Sequence, residues 1–271
     1  MTQASFAATT PQFVSKVGLR SRDAEALARY YEELLGLSRV GRRDGAIQLG
    51  VAADGTALLE IEHVPSARPD DPRGAGLFHT AFLFPERADL ARWIARAAER
   101  KIRIEGASDH LVSEALYLTD PEGNGIEIYV DRPKEQWTRS GGQVDMATNR
   151  LDIEALMKTI PEGDAGWRGT PSGTIVGHVH LRVGDPKVAE DWWHSEMGLD
   201  TMTRYGAQAV FLASGGYHHH IGANSWQSAG AGPREADRSG LSYVELSDRT
   251  AASGSEHRDP WGTVIRRVPL T

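Results

Sequence analysis

His178 and His180 stand two residues apart in IVGHVHLRV, a stretch that alternates apolar and polar positions and so reads as a strand with both imidazoles on one side. His218, His219 and His220 follow the Gly215–Gly216 turn in YHHHIGANSW. His79 lies in another strand-like stretch, GLFHTAFLFP, and Glu127 sits between Ile126 and Ile128 in GIEIYV. Imidazole nitrogens and carboxylate oxygens ligate divalent metals, and imidazole also carries protons near neutral pH. The chain has ten histidines and no cysteine. Disulfides, zinc–thiolate sites, iron–sulfur clusters and cysteine nucleophiles are thereby excluded, and any metal must rest on His, Asp or Glu.

Taken singly, each residue has an ordinary explanation. A histidine in an apolar strand is commonly a satisfied core residue, and a histidine run can be a surface accident. A glutamate flanked by isoleucines serves equally well on the solvent face of a half-buried strand. Position argues for more. His79 and His178 occupy equivalent places in strands that precede a helix, and Glu127 lies on the last strand of the unit that His79 opens. Two histidines and one carboxylate from separate strands, converging on one face, form the arrangement that holds non-haem iron(II) with open positions beside it.

The elements that must position these residues come in repeats. SKVGLRSRDAEALARYYEELLGL aligns without a gap to GHVHLRVGDPKVAEDWWHSEMGL, with Lys16 and His178 162 residues apart. Both read as a strand followed by an amphipathic helix that ends in a capping glycine, Gly36 or Gly198. A weaker pair, GLFHTAFLFP and GLSYVELSDR, starts at Gly76 and Gly240 with an offset of 164 residues. DPEGNGIEIYV and DPWGTVIRRV, from Asp120 and Asp259, repeat a tight turn feeding a strand. The chain thus reads as four quarters, about 13–65, 76–132, 174–226 and 240–271, each a strand, a helix and further strands. The last is truncated, since too few residues separate Leu246 from His257 to form a helix. Read linearly, residues 1–131 make a first two-quarter module and 174–271 a second, joined by 132–173 with a short helix near Asp152–Lys158.

A length of 271 residues with 40% apolar and 25% charged composition describes a soluble globular chain of two domains rather than a disordered or fibrous one. A net charge of −7 offers no electrostatic footprint for nucleic acid or an anionic membrane. No apolar run is long enough to span a bilayer and the N-terminus has no secretory signal, so a cytoplasmic location is expected. A homo-oligomer is left open.

HVHLRVGDPKVAEDWWHSEMGL, GLFHTAFLFP and DPEGNGIEIYVDRP resemble the vicinal oxygen chelate superfamily, the glyoxalase, bleomycin-resistance and extradiol-dioxygenase group. Together with DHLVSEALYL and GYHHHIGANSW, they look most like its catechol 2,3-dioxygenase branch of the Bacillus type. The resemblance implies an α+β fold of four βαβββ-type units paired into two cup-shaped mixed sheets, the fourth unit truncated. It also implies that a cup takes ligands from the first and last strands of its units. Quarter one then offers Lys16 and Glu60, quarter two His79 and Glu127, quarter three His178 with His218 or His220, and quarter four Tyr243 and Arg266. Pairing quarter two with three assembles His79, Glu127 and His178. Pairing one with four leaves a cup without a metal, so one metal per chain is expected.

On this resemblance the reaction is extradiol cleavage of a small aromatic diol by O2 at iron(II), with manganese(II) as the other candidate metal. Tyr117, ten residues before Glu127, matches a tyrosine that binds the substrate hydroxyl, and His110 is expected to help hold substrate or oxygen. A histidine base must take a catechol proton. His220 is the first expectation for it and His218 the second, with His219 pointing away. Two other classes compete: a glyoxalase-like divalent-metal isomerase or lyase, and a non-catalytic binder of the bleomycin-resistance kind, with Trp192, Trp193 and Trp226 lining its cleft. Metal content separates the binder from both enzymes, and oxygen uptake with catechol separates the two enzymes.

Overall fold

A computed structural model describes residues 5–270. After a short helix α1 (Phe6–Thr9), quarter one runs β1 (Gln12–Ser21), α2 (Ala24–Leu35), β2 (Ser38–Arg43), β3 (Ala46–Gly50) and β4 (Ala57–His63). Quarter two repeats the order in β5 (Gly76–Leu83), α3 (Arg87–Glu99), β6 (Gly106–Asp109), β7 (Ser113–Thr119) and β8 (Gly125–Asp131). The connection carries β9 (Arg139–Ser140), β10 (Gln143–Val144), β11 (Asn149–Arg150) and the helix α4 (Ile153–Met157). Quarter three is β12 (Ile175–Arg182), α5 (Pro186–Met197), β13 (Asp200–Tyr205), β14 (Ala209–Ala213) and β15 (Ile221–Asn224). Quarter four has β16 (Gly240–Asp248), β17 (Ser255–Arg258) and β18 (Val264–Pro269), and no helix.

Local chemistry explains the repeat. Asp23 and Asp185 cap α2 and α5 by accepting from backbone N–H groups of their first turns, and Gly36 and Gly198 close them at φ 76° and 68°. Asp120 accepts from the N–H groups of Glu122 and Asn124, and Asp259 does the same for Trp261 and Thr263, so each turn hands the chain to a closing strand.

Two curled mixed sheets result. One runs β11-β6-β7-β8-β5-β12-β15-β14-β13 and the other β17-β18-β16-β1-β4-β3-β2. Quarter two therefore joins quarter three, β5 lying antiparallel to β12, while quarter one joins quarter four through β1 and β16. The linear division into modules 1–131 and 174–271 needs correcting, because each sheet draws one quarter from each of those segments. Nor is 132–173 a bare linker: β11 extends the nine-stranded sheet by pairing with β6. One apolar core runs through both halves, from Leu19 and Leu59 to Val179 and Leu181. No helix among the described residues is long and apolar enough to cross a membrane.

Gly125 shows how tightly the site strands are drawn together. A Cβ there would stand 2.1 Å from the Phe78 carbonyl oxygen, on the neighbouring parallel strand β5. A Gly125→Ala variant must push β8 away from β5, and we expect urea unfolding to show a loss of about 1–3 kcal/mol.

Candidate metal centre

Four adjacent strands, β7, β8, β5 and β12, carry the central residues. Tyr117 on β7 lies opposite Glu127 on β8, Glu127 is in register with Ala81 on β5, and His79 on β5 lies opposite His180 on β12. Because side chains alternate across a strand, His79 and Ala81 share a face, as do His178 and His180. His178 follows a register shift at Gly177, where a Cβ would stand 1.8 Å from the Tyr129 hydroxyl. Only a residue without a side chain lets Tyr129 lie there, and its ring packs against that of His178 at 4.9 Å between centroids.

His79 Nε2 lies 2.9 Å from Glu127 Oε2, His178 Nε2 lies 3.2 Å from the same oxygen, and the two Nε2 atoms are 3.3 Å apart. All three residues are buried. Burial pushes the His178 imidazole down to about 4, against the pull of Glu127, so it is a neutral lone-pair donor at pH 7. Three donor atoms crowded this closely, with few protons to bridge them, are the donor set that a divalent cation satisfies. Cis ligands with bonds of about 2.1 Å would sit about 3 Å apart, which is the spacing found. Among the described residues this is the one His, Asp and Glu cluster close enough to share an ion.

A cavity of about 260 Å³ opens over the trio. Its walls include Phe78, Tyr205, Phe211 and Trp226, with Met146 and Thr148 supplied by the connection between quarters two and three. Among the described residues no Lys, Arg or Asp lines it. Tyr117 and His110 form a dyad on one side. His110 Nδ1 donates to the Ala147 carbonyl at 2.6 Å, which leaves Nε2 to accept from the Tyr117 hydroxyl at 2.6 Å. Burial, reinforced by Glu127, keeps the Tyr117 phenol protonated well beyond its ordinary range.

The triple histidine falls otherwise than expected. His220 turns under α1, its Nε2 3.2 Å from the Ala7 carbonyl and 3.3 Å from the Thr10 hydroxyl. His218 points to Asp131, 2.8 Å away. Neither lines the cavity, whereas His219 does, its ring 4.0 Å from that of His178. Residues two apart share a side here as anticipated, but the opposite phase holds, because Asp131 and α1 offer partners to His218 and His220. His180 also faces the cavity beside Phe78 and Trp226. Its place on the strand of His178 was the signal for it. Burial holds both His180 and His219 well below the ordinary imidazole range, so both are neutral.

The model of the glyoxalase/bleomycin resistance protein/dioxygenase superfamily matches residues 13–128. A catechol-2,3-dioxygenase of Bacillus subtilis is 42% identical over 232 residues, 84% of this chain and 80% of the relative. The chain belongs to this superfamily. A biphenyl-2,3-diol 1,2-dioxygenase of Rhodococcus globerulus is 26% identical over 173 residues, 63% of this chain and 89% of the relative. Glyoxalase I of Zea mays has the same fold, with a TM-score of 0.57 at 13% identity, covering 97% of this chain and 94% of that one.

The second cup of this superfamily member is packed shut by its own side chains. Lys16 pairs with Glu245 at 3.4 Å, Gln48 donates to Glu60 at 2.9 Å, and the Arg266 guanidinium lies 3.8 Å above the Tyr243 ring. Tyr243 fills the space that Gly18 leaves open, where a Cβ would meet its ring at 2.2 Å. Ammonium and guanidinium groups have no lone pair to give a metal; here Lys16 is paired with Glu245 and Arg266 is laid over the Tyr243 ring.

Proposed function

We propose that this protein is an extradiol dioxygenase that opens an uncharged catechol beside its diol with O2, at an iron(II) centre held by His79, Glu127 and His178. The observation that carries the reading is the convergence of those three donors at the floor of an aromatic-walled cavity, with the Tyr117–His110 dyad beside them. The names of the Bacillus and Rhodococcus relatives, both dioxygenases of aromatic diols, support it. His79, Glu127 and His178 would hold iron(II), which would supply Lewis-acid activation of the two diol oxygens and the redox chemistry that O2 needs. Manganese(II) suits the same donors.

The chain's own residues supply positioning and proton handling. The Tyr117 hydroxyl gives its proton to His110 Nε2, so its oxygen is turned to accept a hydrogen bond from a diol O–H, and His110, oriented by Ala147, holds the phenol in place. His219 is the neutral imidazole across the cavity that accepts a diol proton and later returns one. Phe78, Phe211 and Trp226 surround the ring and keep water from the reacting carbons.

Anaerobic loading with iron(II), followed by catechol and air, should give oxygen uptake and a yellow ring-fission product. Absence of both from an iron-loaded protein overturns the reading. The same assay tests the substrate's charge. With no cation on the wall, a catechol bearing a carboxylate side chain must bury that charge unpaired. Its kcat/KM is expected to fall at least about 100-fold below that of catechol, equivalent to about 3 kcal/mol.

A further inference from the structure

The floor of the cavity is wired to the far side of the sheet by a chain of polar atoms. His219 Nδ1 lies 2.7 Å from His218 Nδ1, and His218 Nε2 lies 2.8 Å from Asp131 Oδ1. His218 is wholly buried between the rings of Tyr217, at 4.0 Å, and Trp137, at 5.2 Å. Asp131 ends β8, four residues beyond Glu127, and its carboxylate also accepts from the Tyr217 hydroxyl at 3.1 Å, which in turn accepts from Tyr129 at 2.7 Å. Beyond Asp131 lies a surface groove of about 490 Å³ beside Phe6, Arg132 and Trp137.

With one proton on each ring, donor and acceptor accounting leaves one pattern. The carboxylate can only accept, so His218 must carry its proton on Nε2. Its Nδ1 is then a bare lone pair, and His219 must donate to it from its own Nδ1. His219 is left with an unprotonated Nε2, the nitrogen free for a ligand in the cavity. The logic is that of a carboxylate fixing an imidazole's tautomer, extended by one further ring.

We infer that Asp131 and His218 are positioning residues that lock His219 in the Nδ1–H tautomer, with its Nε2 presented to the substrate as a ready proton acceptor. Asp131 also balances the charge that develops on His219 when a proton arrives, through the intervening ring. Neither residue touches the substrate. This inference rests on the extradiol reading for the identity of the proton that His219 takes, but not for the tautomer itself.

Two measurements test it. Nitrogen-15 spectra of the full chain loaded with diamagnetic zinc(II) should show His219 protonated on Nδ1 and His218 on Nε2. In the iron(II) enzyme, Asp131→Asn lets an amide N–H donate toward His218 and reverse the order; kcat for catechol should fall about 10- to 100-fold, with KM and iron content within about twofold of the wild type. Asp131→Glu should recover part of the loss. An Nε2–H tautomer at His219, or an Asp131→Asn variant with unchanged kcat, overturns the inference. The spectra need no turnover, so an inactive enzyme with the Nδ1–H tautomer would count against the extradiol reading alone.

Discussion

A His178→Ala variant should lose its metal and with it the reaction. The remaining pair, His79 and Glu127, keeps two of the three donors, and the space opened beside them removes the third edge of the site. Metal analysis after iron loading and desalting should fall from about one equivalent per chain to a small fraction of that. Catechol turnover should drop by about 10³-fold or more, because several kcal/mol of Lewis-acid stabilisation leave with the ion. A control at His257, on β17 in the other sheet, should keep both metal and turnover. Normal metal content in His178→Ala would remove the proposed centre, and so would two tightly held metals in the wild type, since the second cup is filled by Lys16, Tyr243 and Arg266.

The second large effect separates two neighbouring histidines. His219→Gln removes the imidazole facing the cavity and leaves the three metal donors in place, so iron content should persist while kcat falls about 10²- to 10⁴-fold, the usual contribution of a positioned acid–base group. His220→Gln, one residue on, should hold kcat within a few-fold. Its partners are the Ala7 carbonyl and Thr10 under α1, so any penalty should surface as a lower unfolding midpoint instead. If His220→Gln produced the large loss in kcat and His219→Gln did not, the assignment of the base would be reversed.

Much of the centre was legible in the residues alone. His79, Glu127 and His178 stood out because equivalent places in a repeat are set by local patterns: strand alternation, an Asp that caps a helix, a glycine that ends it. Tyr117 and His110 were legible through a resemblance, and the structure brings them within 2.6 Å of each other. The expectation of His220 or His218 in the cavity is not met, and His219 lies there instead. Parity along YHHHIG says which histidines share a side, but nothing within that stretch says which side is the cavity. That depended on Asp131, 87 residues earlier in the chain, and on α1 near the N-terminus.

The same boundary runs through the fold. Composition excluded thiolate chemistry, and the repeats laid out four quarters with a shortened last one; each is a property of short windows of chain. Which quarters share a sheet is not. Any two of them present a similar edge strand, and the pairing of β5 with β12 and β1 with β16 is a choice among long-range contacts made by the whole molecule at once. That choice gathers three lone-pair donors in one cup and closes the other with Lys16, Tyr243 and Arg266, so the site is encoded locally residue by residue but exists only through the pairing of distant strands.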